Sequence, residues 1–144
     1  MSVSTIRLII AGALLLHGLG HGGALGALAW VGRGRGDEAG GWRAARTWLF
    51  PSLPQRTATG IASAFWVLSL IGFVAAALSF WGLLIPAAAW RTLALISACV
   101  SGLGILLFFG TWPMFNTLAA MAMNVAVLIT QLWTRWPPFE MFDR

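Results

Sequence analysis

The two histidines of the chain, His17 and His21, lie four residues apart in the middle of its first apolar segment. Residues at this spacing share one face of a helix, so both imidazoles are expected to point the same way. An ionisable side chain at mid-depth in a membrane normally faces the protein interior and marks a functional site. Imidazoles placed there can bind a ligand or relay a proton. His17 and His21 are therefore the first candidate site residues.

The fourth apolar segment carries the polar groups best placed to meet them. Asn116 and Asn124 belong to a polar stripe on that segment. At 1.5 Å rise per residue, His17 and Asn124 each lie roughly 18 to 20 Å from a tryptophan that marks the same membrane face. We therefore predict a hydrogen bond between His17 and Asn124, within a polar centre that also holds His21 and Asn116.

Metal or cofactor binding at this pair has little support from the rest of the sequence. A zinc site needs three or four ligands, but Cys99 is the single cysteine and the carboxylates all lie outside the apolar segments. A lone cysteine also excludes an internal disulfide or a CxxC motif. We predict no metal and no cofactor. Haem or a chlorophyll-type ligand bound through His17 or His21 is the alternative.

The composition indicates an integral membrane protein. Of 144 residues, 59% are hydrophobic and 9% are charged, which is far outside the range of soluble domains. The net charge of +5 comes from arginines that flank apolar segments, so lipid headgroups are the expected counter-charge and nucleic acid is not. A chain rich in Ala, Gly and Arg and without lysine is typical of a GC-rich bacterial genome. We expect a multi-pass protein of a bacterial inner membrane.

Four apolar stretches are long enough to span a membrane as helices. Short connections at Pro86 and at Gly110 to Pro113 predict antiparallel neighbours, and hence a single all-α domain, an up-down bundle of four transmembrane helices. Most tryptophans fall at the span ends, where indoles prefer the headgroup level; those predicted there are Trp30, Trp81, Trp90, Trp112, Trp133 and Trp136. The predicted spans are residues 6–31, 57–84, 87–109 and 112–133, within a domain covering residues 1–144.

The first segment follows Arg7 and has some features of a signal peptide, but its length favours a retained helix. The connection at residues 32–56 is the main polar loop. Part of it favours a short helix lying on the membrane surface, with an irregular loop as the alternative. Arg43, Arg46 and Arg56 are predicted to contact lipid headgroups. The arginines divide almost evenly between the two sides, and their clustering in this loop favours a cytoplasmic location for it.

Small residues predict close helix packing. Gly18, Gly22 and Gly26 form a stripe on the first helix beside the histidine face, and Ser97 and Ser101 form a similar face on the third. In membranes, small residues at this spacing let helices approach closely. The stripe fits contacts within the bundle, in a homo-oligomer or in a larger membrane complex.

The function favoured by these features is noncatalytic: an accessory subunit, or a binder of lipid or another apolar ligand. One alternative is a proton-coupled transporter using His17. The chain resembles small multidrug transporters in length and span number, but their first-helix glutamate is absent and His17 is the nearest substitute. A tetrapyrrole-binding protein and a lipid-acting enzyme with a histidine base are two further hypotheses. No motif of a known enzyme class is present, so an enzyme is not favoured.

Overall fold

A computed structural model of the chain describes residues 2–34 and 41–138. Four of its helices are long and apolar enough to cross a membrane, which confirms the predicted all-helical, four-span architecture. All four carboxylates, together with Arg35 and Arg144, lie outside the described residues. The helices are α1 (Val3–Val31), α2 (Gln55–Phe80), α3 (Trp90–Leu107, preceded by a 3-10 turn at Ala87–Ala89) and α4 (Met114–Leu128, continued by a π-helical turn at Ile129–Trp133).

Local sequence signals explain where the helices begin and end. The Ser2 side chain accepts a hydrogen bond from the Thr5 backbone N–H at the start of α1. Pro54, Pro86 and Pro113 directly precede the later helical segments, where a residue without a backbone N–H costs no helical hydrogen bond. Helix α2 ends at Phe80, short of the predicted residue 84, and the chain then turns through left-handed backbone at Gly82 and Leu84.

The predicted surface helix in the first loop is wrong, because residues 42–47 form no helix. Their backbone groups bond to other parts of the protein instead of to each other. The Arg43 N–H donates to the Thr111 carbonyl, and the Gln55 amide donates to the Ala45 carbonyl. These contacts hold the segment against the turn between α3 and α4 and against the start of α2, with Ala45 fully buried.

Consecutive helices pack against each other, as expected for an up-down bundle, whereas α1 and α4 make little direct contact. Glycines allow the closest approaches. A Cβ atom at Gly18 would lie 3.1 Å from the Phe73 Cβ on α2, and one at Gly104 would lie 2.8 Å from the Phe65 Cβ. Gly72 similarly faces Ser97 on α3. The backbones of α1 and α3 therefore lie almost directly on α2.

The interior consists of two apolar clusters with a polar layer between them. The first cluster contains Leu14, Phe73 and Val127, and the second contains Ala24, Trp66 and Ala120. On α1 and α4, the polar residues His21 and Asn124 fall between the members of the two clusters. Large apolar side chains also cover the outside of the helices, where lipid would solvate them; exposed examples are Leu16, Leu68, Ile71, Ile96, Leu103 and Leu118.

Two tryptophans predicted at the headgroup level are buried within the bundle. Trp112 packs against Trp66 in the second cluster, and Trp90 packs against Phe80 in the first. Both lie at helix ends, but their rings turn inward to fill space between small residues. The other tryptophans predicted at span ends are exposed, namely Trp30, Trp81, Trp133 and Trp136.

We expect Gly104→Ala to destabilise the bundle and Gly102→Ala, two residues away on the same helix, to be neutral or stabilising. The new methyl group at residue 104 would meet the Phe65 Cβ, which is fixed to the α2 backbone, whereas nothing lies within 4 Å at residue 102. Overpacking of this kind costs about 1–3 kcal/mol. Unfolding in mild detergent, followed by tryptophan fluorescence, measures the difference. Equal stability of the two variants would contradict the close packing of α3 on α2.

Candidate functional site

The polar layer is a hydrogen-bonded network that joins α1, α3 and α4. The His17 Nε2 and the Asn124 Oδ1 are 2.9 Å apart, so the predicted hydrogen bond is present. The Asn124 amide also donates to the Ser101 Oγ at 2.7 Å, and Ser101 lies 3.0 Å from the His21 Nε2. His21, Ser101 and Asn124 are buried. Each of these polar groups therefore finds a partner on another helix, as burial in a membrane requires.

The chemistry of the side chains sets the direction of these hydrogen bonds. The Asn124 Oδ1 can only accept, so the His17 Nε2 carries a proton and donates. Ser101 accepts from Asn124 and has one proton of its own to donate. Among the described residues, the His21 Nε2 is the acceptor within reach of that proton. The network therefore runs from His17 through Asn124 and Ser101 to His21, which accepts at its Nε2.

Aromatic rings surround the histidines. The His21 ring lies 6.0 Å from the Trp66 ring and 5.4 Å from the Trp112 ring, measured between centroids. Phe73 packs edge-on against His17 at 4.5 Å. Trp66 and Phe73 come from α2, which makes no hydrogen bond to the network but encloses it on one side. This packing limits the rotation of both imidazoles.

A cavity of about 210 Å³ opens beside the network between α1 and α4. We call it the histidine cavity. Two of its lining residues, His21 and Trp112, each contain a buried nitrogen, the Nδ1 and the Nε1, that has no hydrogen-bond partner in the described part of the chain. An unpaired polar group is costly in an apolar environment. The lining residues of the cavity are Leu16, His17, Gly20, His21, Trp42, Trp112, Phe115, Asn116, Ala119 and Ala120.

A second cavity of about 210 Å³, the apolar cavity, lies at the opposite end of α1 and α4, and Trp90 and Ala94 of α3 also line it. Ile10 and Ala13 of α1 face Met123 and Ala126 of α4 across it. The lining of the apolar cavity is almost entirely carbon. The two cavities lie on either side of the hydrogen bond between His17 and Asn124. They share no lining residue, and we refer to the two together as the α1–α4 groove.

The end of the groove beyond the apolar cavity is closed by the chain that follows α4. The Arg91 Nε donates to the Gln131 Oε1 at 3.0 Å, and its Nη2 donates to the Pro137 carbonyl at 2.8 Å. The Gln131 amide in turn donates to the Trp136 carbonyl. Gln131 is buried and follows Asn124 by seven residues, which at 100° per residue places both near the same inward face of the helix. The start of α3 and the end of α4 are thereby joined.

Asn116 does not belong to the polar network, contrary to the prediction. It is exposed at the edge of the histidine cavity. Asn116 precedes Asn124 by eight residues, which rotates it by about 80° around α4 at 100° per residue. With Asn124 directed at α1 and α3, that rotation carries Asn116 to the outer side. The prediction placed every polar residue of the α4 stripe inside the bundle. The stripe covers a wider arc of α4 than the face that is buried, so Asn116 at its edge is exposed.

The glycines and serines predicted to pack have different surroundings. Gly18 approaches α2 closely, and a Cβ at Gly22 would be in ordinary contact with Leu70, but nothing lies within 4 Å of Gly26. The stripe therefore does not form one continuous contact with α2. Ser97 packs against Gly72 and donates to the Leu93 carbonyl. Ser101 is a link in the polar network rather than a mere packing residue.

The three loop arginines predicted to contact headgroups are exposed. Arg43 and Arg46 line a cavity of about 410 Å³ together with Thr111. Arg56 lies in the first turn of α2 and is not among the lining residues of that cavity. This cavity shares no lining residue with the histidine cavity. Binding of lipid headgroups by the three arginines stays a prediction.

The histidine pair is poorly arranged for metal or tetrapyrrole ligation. Within residues 2–34 and 41–138, no three His, Cys, Asp or Glu side chains come together in a way that could hold a metal ion. The Nε2 atoms of both imidazoles are engaged in the network. Axial ligation through either atom would break a buried hydrogen bond.

Sequence reasoning missed three residues of the site. Ser101 was interpreted as a packing residue, although a hydroxyl at mid-depth in a membrane helix is itself a candidate hydrogen-bond partner. Trp112 was assigned to the headgroup level, and no role was predicted for Trp66. Their approach to His21 depends on how α2 and α4 rotate, and a single sequence does not specify that rotation.

Fold and site together define an all-helical membrane protein with four candidate spans and a buried polar network beside a lateral groove. Comparison of the chain with protein-family models, with curated proteins and with solved structures gives no match. Its function has therefore to be inferred from its own geometry.

We expect Asn124→Leu to destabilise the protein by about 1–3 kcal/mol, the usual cost of leaving buried polar groups unpaired. The change removes two hydrogen bonds and leaves His17 and Ser101 without their partner. Asn116→Leu is the matched control, because Asn116 is exposed on the same helix and makes no hydrogen bond to any described residue. Denaturant titration in detergent micelles measures both variants. If Asn124→Leu were as stable as Asn116→Leu, the network would not hold the bundle together.

Proposed function

We propose that this chain is a noncatalytic lipid-binding protein of a bacterial inner membrane, which holds an apolar chain in the α1–α4 groove. The observation that carries the proposal is the pair of cavities between two helices that make little direct contact. Helices of a simple packed bundle would close such a gap, because dispersion contacts between helices favour close packing in lipid. Here the hydrogen bond between His17 and Asn124 spans the gap between α1 and α4.

The lining of the groove suits an apolar chain with a small polar end. Ile10, Ala13 and Met123 in the apolar cavity offer carbon contacts, and Gly20 and Ala119 in the histidine cavity leave room beside the imidazoles. The groove is open towards the surroundings of the bundle along α1 and α4. A lipid could therefore enter sideways from the bilayer, without passing through water.

Proton-coupled transport is less well supported by the same geometry. A relay from His17 to His21 would have to pass through the Asn124 side chain. An amide accepts at its oxygen and donates from its nitrogen, so a proton that arrives at one atom does not leave from the other without an unfavourable tautomer. The network is better suited to fixing positions than to moving protons.

A lipid-acting enzyme is also less well supported. That hypothesis needs an arginine to hold a phosphate while a histidine acts as base on the same molecule. Arg43 and Arg46 line a different cavity from the histidines. The Nε2 atoms of both imidazoles are already occupied by structural hydrogen bonds. The geometry therefore favours binding without turnover.

Photo-crosslinking tests the proposal. The purified full-length chain in lipid nanodiscs is illuminated with a phospholipid that carries a diazirine in its acyl chain, and labelled peptides are identified by mass spectrometry. We expect labelling to concentrate at groove residues such as Ala13 and Ala126, above the level on exposed outer residues such as Leu68 and Ile96. Uniform labelling of all exposed apolar residues would contradict specific binding.

A matched pair of variants sharpens the test. Gly20 lines the histidine cavity and Gly23 does not, yet both lie on α1 and a Cβ atom at either position would have nothing within 4 Å. Gly20→Phe should fill the cavity and reduce the groove labelling several-fold, and Gly23→Phe should leave it unchanged. Both variants should fold, since each side chain enters open space. Equal labelling of the two variants would overturn the proposal.

A further inference from the structure

We infer that Arg43 and Arg46 together bind the phosphate of a lipid whose headgroup is a phosphate monoester. The site is the cavity of about 410 Å³ between the first loop and the turn from α3 to α4. It shares no lining residue with either cavity of the α1–α4 groove, so the inference is independent of the function proposed above. The cavity is lined by Arg43, Ala44, Arg46, Phe109, Gly110 and Thr111.

The backbone that carries the two arginines is held in place by other parts of the protein. The Arg43 N–H donates to the Thr111 carbonyl at 3.0 Å, and the Ala45 carbonyl accepts from the Gln55 side chain at 2.6 Å. Ala45 is fully buried between the two exposed arginines. The segment therefore keeps both arginines beside one cavity before any ligand binds, which lowers the entropic cost of binding.

The described part of the chain leaves the charge of this pair uncompensated. Residues 2–34 and 41–138 contain no carboxylate, and neither the Arg43 nor the Arg46 side chain has a hydrogen-bond or ion-pair partner among them. Arg33, just after α1, and Arg56, in the first turn of α2, lie at the same end of the bundle. Together these charges create a positive potential that attracts an anion to this end.

Exposed apolar side chains indicate that the cavity lies at the membrane surface. Trp48, Leu49 and Phe50 follow the two arginines in the chain and are 65%, 47% and 60% exposed. Tryptophan at the end of a spanning bundle is typical of the headgroup level. The Trp48 indole donates to the Leu106 carbonyl at 2.7 Å, which holds this apolar group against α3. A lipid with its phosphate in the cavity can therefore place its acyl chains on these side chains.

Two arginines at one cavity favour a phosphate monoester over a diester. A guanidinium donates two parallel hydrogen bonds to a phosphate. A monoester presents three terminal oxygens and about two negative charges, so it can engage both guanidinium groups. A diester presents two such oxygens and a single charge, which one arginine already matches. Phosphatidate is a lipid of the first kind, and phosphatidylglycerol is one of the second.

Two lipids with identical acyl chains test the choice of headgroup on the unmodified protein. The full-length chain in detergent micelles is titrated with radiolabelled phosphatidate or phosphatidylglycerol at pH 8, where the monoester is doubly charged. Engagement of the second arginine predicts that phosphatidate binds at least about fivefold more tightly. Equal affinity of the two lipids would overturn the inference.

Inorganic phosphate distinguishes a lipid headgroup from a free ion as the natural occupant. It carries the same charged group without acyl chains, so we expect it to displace phosphatidate only at a concentration at least about tenfold higher than phosphatidate itself requires. Displacement at equal concentration would show that the site takes free phosphate, and binding of a lipid would be wrong.

The variants Arg43→Gln, Arg46→Gln and Arg56→Gln separate a defined site from a diffuse positive surface. Each removes one exposed charge from the same end of the bundle, but Arg56 does not line the cavity. We expect each of the first two variants to weaken phosphatidate binding about fivefold and to remove the preference over phosphatidylglycerol. Arg56→Gln should keep the affinity within about twofold at 0.15 M salt, where distant charges are screened. Equal losses in all three variants, or no loss in any, would overturn the inference.

The Gly20→Phe variant separates this inference from the proposed function. It should reduce labelling of the α1–α4 groove and leave phosphatidate binding unchanged, because Gly20 does not line the arginine cavity. If Gly20→Phe abolished phosphatidate binding, this lipid would bind in the groove and the assignment to Arg43 and Arg46 would be wrong. If groove labelling were uniform while the two arginine variants lost phosphatidate, the proposed function would be wrong and the arginine site would stand.

Discussion

The amide of Asn124 is the interaction on which the arrangement of the helices depends. It accepts from His17 on α1 and donates to Ser101 on α3, so one side chain on α4 connects three helices. In water, any of these groups could exchange its partner for solvent. In a lipid bilayer there is no such substitute, and a displaced helix would leave several buried polar groups unpaired. The remaining helix, α2, makes no hydrogen bond to this network and contributes glycine contacts and aromatic rings instead.

Helix α2 packs through glycines, whereas α1 and α4 are joined by polar side chains. This difference explains why the bundle is tightly packed around α2 and has cavities between α1 and α4. Helix α2 lies against α1 and α3 at Gly18 and Gly104, where backbones almost touch. The spacing between α1 and α4 is set instead by the reach of His17 and Asn124 towards each other. Side chains of that length hold the two helices apart, and small neighbours such as Gly20 and Ala119 do not fill the gap. The groove is thus a consequence of bridging two helices with polar groups.

Much of this architecture could be predicted from the sequence. Long apolar runs specify spanning helices, because a backbone in lipid must satisfy its own hydrogen bonds. Proline and glycine mark the turns. The partnership of His17 with Asn124 followed from their similar depth, which helix rise converts from residue counts into distance. Depth along a helix depends on the sequence alone, so this prediction did not require knowledge of packing.

Rotation of the helices about their own axes could not be predicted in the same way. Asn116 was expected inside the bundle and is exposed, whereas Trp112 was expected at the headgroup level and is buried. Gly26 makes no contact with α2, so the glycine stripe extends beyond the contact between α1 and α2. The loop segment at residues 42–47 has a helical pattern, yet its backbone finds partners on the turn before α4 and on Gln55. Thr111 lies far along the chain from this segment, and Gln55 follows the turn at residues 51–53. A local pattern therefore reveals neither partner.

The sequence by itself determined the all-helical class, the number of candidate spans and the matching height of His17 and Asn124 along the bundle, because hydrophobic length and helix rise are local properties. The tertiary structure alone decided that Ser101 joins the network, that Asn116 lies outside it, and that Trp66 and Trp112 pack around His21. These features depend on the relative rotation of four helices. That rotation results from the combined packing of glycines, aromatic rings and one amide, and no segment specifies it alone.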